Sequence, residues 1–346
     1  MMKLRSSVQG ALILALLVLT GCHRASDSSS LFLGGDVLLY RAGKPLFPVE
    51  DEAISPWGDF IKVKQEEHAD LFAVNLESPF GLRVVEHGLE NPSMNLCADD
   101  DALQHLQQAG VNLITNHNNH ANDCGFSDQQ YTDELLDQAG ILHQRNHSSV
   151  QFVPAGGAVI AVLSINDYER DYEIVTVVNE LKKARGASDL VLVSVHWGQE
   201  YQAGPSQHQQ ELAQLLVDAG ADVIWGHHPH VLQRMEWLRS SADGHTGLVM
   251  YSLGNALSDQ WMLPDAQRTA VIRLTFSHHQ VKDILVVPLK MDMSSRTLLL
   301  EKDPQLFNWY VERLSLESLE KKGTTIRLFE FAQTPKPSKK VFLHAP

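Results

Sequence analysis

Cysteine is scarce, with three in 346 residues, so no dense disulfide framework can carry this fold. Positive charge is also short: 28 Lys and Arg face 42 Asp and Glu, for a formal net charge of −14. A broad nucleic-acid-binding surface is excluded on that balance, because neutralising phosphates takes clustered Lys and Arg. The same balance opposes general attraction of any polyanion, so an acidic substrate needs a local cationic group or a metal. The apolar run from Ala11 to Leu19 is too short to span a bilayer comfortably. What remains is ordinary globular material, 44% hydrophobic and 20% charged, enough for a sizeable core.

Lys3 and Arg5 precede the apolar run, which ends in Leu19-Thr20-Gly21-Cys22. A basic start and a short apolar stretch describe an export signal, and the four-residue ending resembles the bacterial lipobox. Residues 1–21 are therefore expected to be a lipoprotein signal peptide, and 22–30 a small, polar tether lipidated at Cys22. His23 rather than an aspartate follows the cysteine. By resemblance to Gram-negative sorting, that favours the outer membrane where the source has one, with the domain outside the cytoplasm. The plainer alternative is an ordinary cleaved signal with an incidental cysteine. Cys97 and Cys124 then remain, either as one disulfide or as two separately buried thiols.

From Leu31 one unit recurs: an amphipathic helix, an Ala-Gly stop, an apolar strand and a polar cluster. Residues 207–219 place Leu212, Leu215, Leu216 and Ala219 at helical spacing, and Gly220 suits the left-handed position past the helix end. Asp101 to Ala109 with Gly110, and Ser127 to Ala139 with Gly140, repeat the pattern; Ser127 and Gln130 read as a capping box. Alternating helices and short strands mean an α/β fold. One domain is expected over 31–295, followed by a C-terminal extension, 296–346, with a helix over about 304–322.

Five strand ends share one inventory. Leu31-Phe32-Leu33 runs into Gly34-Gly35-Asp36, and Leu71 to Val74 into Asn75-Leu76-Glu77. The strand ending at Thr115 meets Asn116-His117-Asn118-Asn119-His120, with Asp123 just beyond. Leu190 to Val195 meets His196-Trp197-Gly198, and Val223 to Trp225 meets Gly226-His227-His228-Pro229-His230. Ligands of α/β sheets gather at the carboxyl ends of strands. Mixed imidazole and oxygen donors suit Mn, Fe or Zn, and no cysteine falls at these ends to build a structural zinc site. Each signal has a bland counterpart: Asp36 as a turn residue, Glu77 as a solvated carboxylate, the asparagines as a polar turn, His196 as a buried core histidine. Arg41 and Arg268 could meet an anionic substrate, although a plain surface role serves either. Gly254-Asn255 would let backbone approach the site.

Taken in order, Gly35-Asp36-Val37-Leu38, Asn75-Leu76-Glu77-Ser78, Asn118-Asn119-His120-x-x-Asp123-x-Gly125, His196-Trp197-Gly198-x-Glu200-Tyr201, His228-Pro229-His230-Val231-x-Gln233 and Tyr251-Ser252-Leu253-Gly254-Asn255 resemble the CapA family of poly-gamma-glutamate capsule proteins. That resemblance implies a four-layer αββα sandwich of two sheets, of the calcineurin-like metallophosphatase type. It puts Asp36, Glu77, Asn119, His196, His228 and His230 where such proteins hold one or two divalent transition metals. It puts His120 on the histidine that acts as acid or electrostatic stabiliser; Asp123 and Glu200 are read as further catalytic candidates, and Arg41 and Asn255 as substrate-binding candidates. The chain departs from the two-metal pattern at Leu38, where a histidine is usual, and at Glu77, where an aspartate bridges. His117 replaces a small residue, as an extra ligand or as a bulkier packing group, and Ala256 replaces an aromatic. The resemblance implies a metal-dependent hydrolase or transferase on an anionic cell-envelope polymer or small anionic substrate, working with capsule machinery. The competing readings are a phosphoesterase and a non-catalytic accessory lipoprotein.

Overall fold

The computed structural model describes residues 28–47, 55–81, 94–125, 128–144, 149–170 and 172–329. The signal segment, Cys22, the Ser127 cap and the Pro335-Lys336-Pro337 stretch lie outside the described residues.

The first strands are β1 (Ser29–Val37), β2 (Tyr40–Arg41), β3 (Lys44–Pro45), β4 (Leu71–Leu76), β5 (Leu113–Thr115) and β6 (Leu142–Gln144). Next come β7 (Gln151–Ala155), β8 (Ala158–Asn166), β9 (Leu190–His196), β10 (Val223–His227), β11 (Met235–Arg239) and β12 (Thr246–Met250). The last are β13 (Asn255–Leu257), β14 (Arg268–Ser277), β15 (Gln280–Asp292), β16 (Thr297–Leu300) and β17 (Thr325–Leu328). The α-helices are α1 (Phe60–Glu67), α2 (Leu103–Ala109), α3 (Asp128–Gln138), α4 (Ile174–Arg185), α5 (Gln207–Asp218) and α6 (Pro304–Arg313).

Two large sheets result. One runs β16-β15-β14-β1-β4-β5-β6, with β13 beside β1 and β17 beside β15; the other runs β11-β12-β10-β9-β8-β7. Alternation along the strands decides how they stack, because successive side chains leave opposite faces. In β1, Leu31 and Leu33 enter the core between the sheets, while Phe32 packs outward against α1. In β9, Leu190 and Leu192 point between the sheets, while Val191 and Val193 meet α4 and α5. Strands apolar on both faces demand cover on both, and the result is the expected αββα sandwich. Trp225 crosses the inner layer, its indole donating to the Gly34 carbonyl at 2.8 Å. Ser194 donates to Thr115 at 3.0 Å, again from sheet to sheet. These bonds hold the carboxyl ends of β1, β5, β9 and β10 over one another.

The glycine stops behave as expected: Gly110, Gly140 and Gly220 have φ of 64°, 69° and 116°. In α5, however, the buried apolar face is Leu212, Ala213, Leu216 and Val217, and Leu215 is 38% exposed. Leu215 sits about 100° around the helix from Leu216, beyond the edge of the buried stripe. Residues past 295 continue the larger sheet rather than trailing from it: β16 pairs antiparallel and β17 parallel with β15. The helix expected over about 304–322 stops at Arg313, and a 3-10 turn follows at Leu316–Leu319. Among the described residues no helix is long and apolar enough to cross a membrane.

Candidate metal centre

Asp36 lies one residue before the end of β1, after an irregularity at Gly34-Gly35. A Cβ on Gly35 would lie 1.9 Å from the Gly254 carbonyl oxygen, so only glycine permits the approach of the two backbones. That contact brings the Asp36 amide to Gly254 O at 2.9 Å. The Asp36 carboxylate is fully buried. It accepts from Asn75 Nδ2 at 2.9 Å, from His227 Nδ1 at 3.0 Å and from the His228 amide at 3.0 Å, and meets His230 Nδ1 at 3.4 Å. Burial opposes its charge, but the bonds from His227 and His230 hold the carboxyl well below the usual range.

The loop after β10 carries strain. His228 and His230 have φ of 90° and 57°, a region that costs a non-glycine residue of order 1–3 kcal/mol. The hydrogen bond from the His228 amide to Asp36 offsets part of that cost, and the loop brings donor atoms of His228 and His230 together with Glu200. The donor atoms of Asp36, Glu77 and His230 lie within 4.8 Å of one another, and those of Glu200, His228 and His230 do likewise. His230 belongs to both trios. Asn255 sets its tautomer: Asn255 Nδ2 donates to Gln260 and faces two backbone carbonyls, leaving Oδ1 to accept from His230 Nδ1 at 2.8 Å. In the neutral ring His230 Nε2 is then the lone-pair nitrogen, 3.9 Å from Glu77 and 4.0 Å from Glu200.

Electrostatics divide the rings. Burial pushes His228 down to about 3, helped by the His230 charge, and takes His196 well below the ordinary value, with His228 adding to the effect. Burial also disfavours charge on His230, but Glu77 and Asp36 outweigh it and raise the group to about 9. Glu77 rises to about 7, chiefly through burial, with the His230 charge opposing.

His120 stands at the rim of the same cluster. Its Nδ1 meets Asp123 Oδ2 at 2.9 Å, and that oxygen also accepts from the Leu96 amide at 2.7 Å. Burial works against protonation of His120, yet Asp123 and the nearby Glu77 charge raise its pKa. Asn118 donates to the Leu76 carbonyl at 2.8 Å and accepts from the His120 amide at 3.1 Å, holding the segment beside β4. Asn119 Oδ1 meets His196 Nε2 at 2.7 Å. Cys97 and Cys124 form a disulfide with Cα atoms 4.9 Å apart, tying the Leu96 loop to the Asp123 loop.

Whether these residues suit a metal is decided by what they leave unsatisfied. Both Glu77 oxygens, His196 Nδ1 and His227 Nε2 are buried without a hydrogen-bond partner among the described residues. A buried polar group left so costs about 1–3 kcal/mol, more if charged. The two Glu77 oxygens lie inside the cluster of carboxylates and imidazoles and fit a divalent cation, with Asp36, Glu77, His228, His230 and Glu200 as its holders.

A family model described as bacterial capsule synthesis protein PGA_cap matches residues 30–260. The chain belongs to that family. The capsule biosynthesis protein CapA of Bacillus anthracis is 26% identical over 302 residues, spanning 79% of this chain and 70% of the relative. The PGA biosynthesis protein CapA of Bacillus subtilis (strain 168) is 28% identical over 215 residues, 56% of this chain and 54% of that one. The match thus spans only about half the length of the second relative. Among solved structures, a hypothetical protein from Thermus thermophilus aligns at TM-score 0.49 and 14% identity, covering 75% of this chain and 99% of the other.

Within this PGA_cap chain, the structure gathers Asp36, Glu77, Asn119, His120, Asp123, His196, Glu200, His228 and His230 at one edge of the sandwich. Two substrate candidates are engaged otherwise. Arg41 binds Asp259 bidentately at 2.7 and 2.9 Å, and Asn255 positions His230. Asp259 neutralises the Arg41 cation, so Arg41 offers an anion little net charge. Arg268 lies over the Trp309 ring at 5.3 Å and donates to the Pro264 carbonyl. His117 Nδ1 meets the Ser164 carbonyl at 3.2 Å, which makes it a bridge to the second sheet. Leu38 and Ala256 are buried in the helix-side core, away from the donors. Sequence reasoning passed over Asn75 and His227 as partners of Asp36, although Asn75 shares a strand face with Glu77. It also missed β8 as a sixth strand end and Tyr168 beyond it, whose ring lies 4.6 Å from that of His228. No motif marks that tyrosine; only the proximity of β8 to β9 brings it in.

Proposed function

We propose that this chain is a metal-dependent hydrolase or transferase acting on an anionic cell-envelope substrate, poly-gamma-glutamate or a related polymer. One observation carries the reading: two donor trios hinged on His230, one of which includes a buried Glu77 carboxylate that receives no hydrogen bond among the described residues. The names of the two relatives support the capsule context. A lipid tether at Cys22, supported by the Leu19-Thr20-Gly21-Cys22 motif, would keep the domain at the envelope beside capsule machinery.

A bound divalent transition metal, Mn, Fe or Zn, supplies a Lewis acid for the acyl or phosphoryl oxygen and makes water more acidic. Asp36, Glu77, His228, His230 and Glu200 would hold it, with His196 and Asn119 alongside. Local positive charge is needed because the cluster is itself acidic and Arg41 is matched by Asp259. His120 carries its transferable proton on Nε2, since Asp123 occupies Nδ1. Its pKa is raised by Asp123 and the Glu77 charge, which favours the protonated ring and suits protonation of a leaving amine or alkoxide. Tyr168 and Tyr201 border the histidines and narrow the approach.

Metal analysis of purified protein tests this reading. At least one divalent transition metal is expected per chain, and Asp36→Ala or His228→Ala should lower that occupancy. Cleavage or transfer of gamma-glutamyl polymer supports the proposal. Cleavage of phosphate esters alone would replace it with a phosphoesterase. Absence of metal under every loading condition, with polymer binding indifferent to both substitutions, would leave an accessory lipoprotein.

A further inference from the structure

At the end of the smaller sheet opposite the metal centre lies a crevice of about 310 Å³. Asp222, just before β10, stands in its wall, while His227 closes the far end of the same strand. Five residues at ~3.3 Å each put the two places ~16 Å apart. In a chain of net charge −14, this wall carries Arg185, Lys282, Lys321 and Lys322 against one carboxylate, Asp222.

That carboxylate is already committed. Asp222 is buried, meets Arg185 Nη1 at 2.5 Å and His279 Nδ1 at 2.6 Å, and accepts from the Val191 amide at 2.8 Å. Lys282 and Lys321 have only neutral partners among the described residues. Lys282 donates to Gln280, and Lys321 donates to Thr246 with its ammonium 4.0 Å from the Trp237 ring centroid. Burial first, and then the Lys282 charge, lowers the pKa of Lys321, so two ammonium groups repel one another across the opening.

The hairpin above the crevice is also built at a cost. His278 and His279 form the two-residue turn between β14 and β15 with φ of 46° and 59°. Asn-Gly fills such a turn with less strain, whereas a Cβ on each histidine crowds the backbone in this left-handed region. The His279 amide donates to the Asp189 carbonyl at 2.7 Å, and its ring is held by Asp222, so the turn is clamped against the floor. A solvated surface groove would require neither the clamp nor unmatched cations facing each other.

We propose that this crevice is a second ligand site, which takes the oxyanion of a small carboxylate or phosphate compound between Lys282 and Lys321. The volume falls at the lower end of ordinary ligand pockets, and the site is independent of the metal centre and of the activity proposed for it.

Calorimetric titration of the purified chain with inorganic phosphate and, separately, with citrate tests the assignment. One saturable site is expected, unchanged in Asp36→Asn and weakened at least tenfold in the Lys282→Gln/Lys321→Gln variant. Saturation by phosphate alone identifies a phosphate ligand, and saturation by citrate alone a carboxylate; either result supports the site. Acetylation of the unaltered chain supplies a readout that does not depend on folding of a variant: the bound anion should protect Lys282 and Lys321 from modification. No saturable binding of either anion, binding that ignores the double substitution, or no protection of the two lysines would overturn the proposal.

Discussion

At His120, Asp123 holds Nδ1 at 2.9 Å and fixes which nitrogen faces outward. His120→Ala removes a proton donor but none of the groups in either donor trio. Metal content should therefore persist while turnover falls by about 10²–10⁴, the usual size of a general-acid contribution. Loss of metal in that variant would make His120 a ligand instead. The cluster itself should load metal more tightly as pH rises. Ligands must be deprotonated, and in the metal-free protein Glu77 titrates at about 7 and His230 at about 9. Below about 7 an incoming cation displaces both protons, between the two values it displaces one, and above about 9 it displaces none. Apparent affinity should climb across that window, and calorimetry in buffers of different ionisation enthalpy should register the released protons. A flat pH profile would show that neither group binds the ion.

Between elements, the Cys97–Cys124 disulfide joins the segment after Met94 to the turn beyond His120. The cysteines are 27 residues apart, so closing that loop is worth roughly 3–4 kcal/mol in the chain-entropy model. Cys97→Ser/Cys124→Ser should lower unfolding stability by about that amount in denaturant titration. It should also reduce turnover more than metal content, because the bridge supports the Leu96 amide that orients Asp123, not the trios. Equal loss of metal and activity would contradict this division. Free-thiol labelling of the denatured, unreduced protein should find neither cysteine open. The pairing of Arg41 with Asp259 belongs to this scale too: a residue read as a substrate cation became an internal tie because a segment 218 residues away folds beside it.

For the whole molecule, the four layers place the carboxyl ends of β1, β4, β5, β9 and β10 on one edge and leave the opposite edge to the Lys282–Lys321 crevice. An anchored protein with this charge would face its surroundings through a largely acidic surface. Cys22→Ser tests the anchor: the protein should move to the soluble fraction or accumulate as unprocessed precursor in fractionated cells. Normal processing with membrane retention would remove lipidation from the account.

The α/β class, the strand ends and their donors, and the cysteines available for pairing were legible along the chain, because helical and strand periodicity and local glycine stops are short-range properties. Asp36, Glu77, His196 and the Gly226–His230 loop announce themselves by sitting where an apolar strand stops. What the chain alone left open depends on groups far apart in sequence meeting in space. Only tertiary structure decided that His230 is shared between two trios and that Asn255 hydrogen-bonds it. It likewise decided that residues past 295 extend the larger sheet and that Tyr168 packs against His228. Periodicity reports which face of an element is apolar; it carries no information about which other element will cover that face, and every one of these decisions was made there.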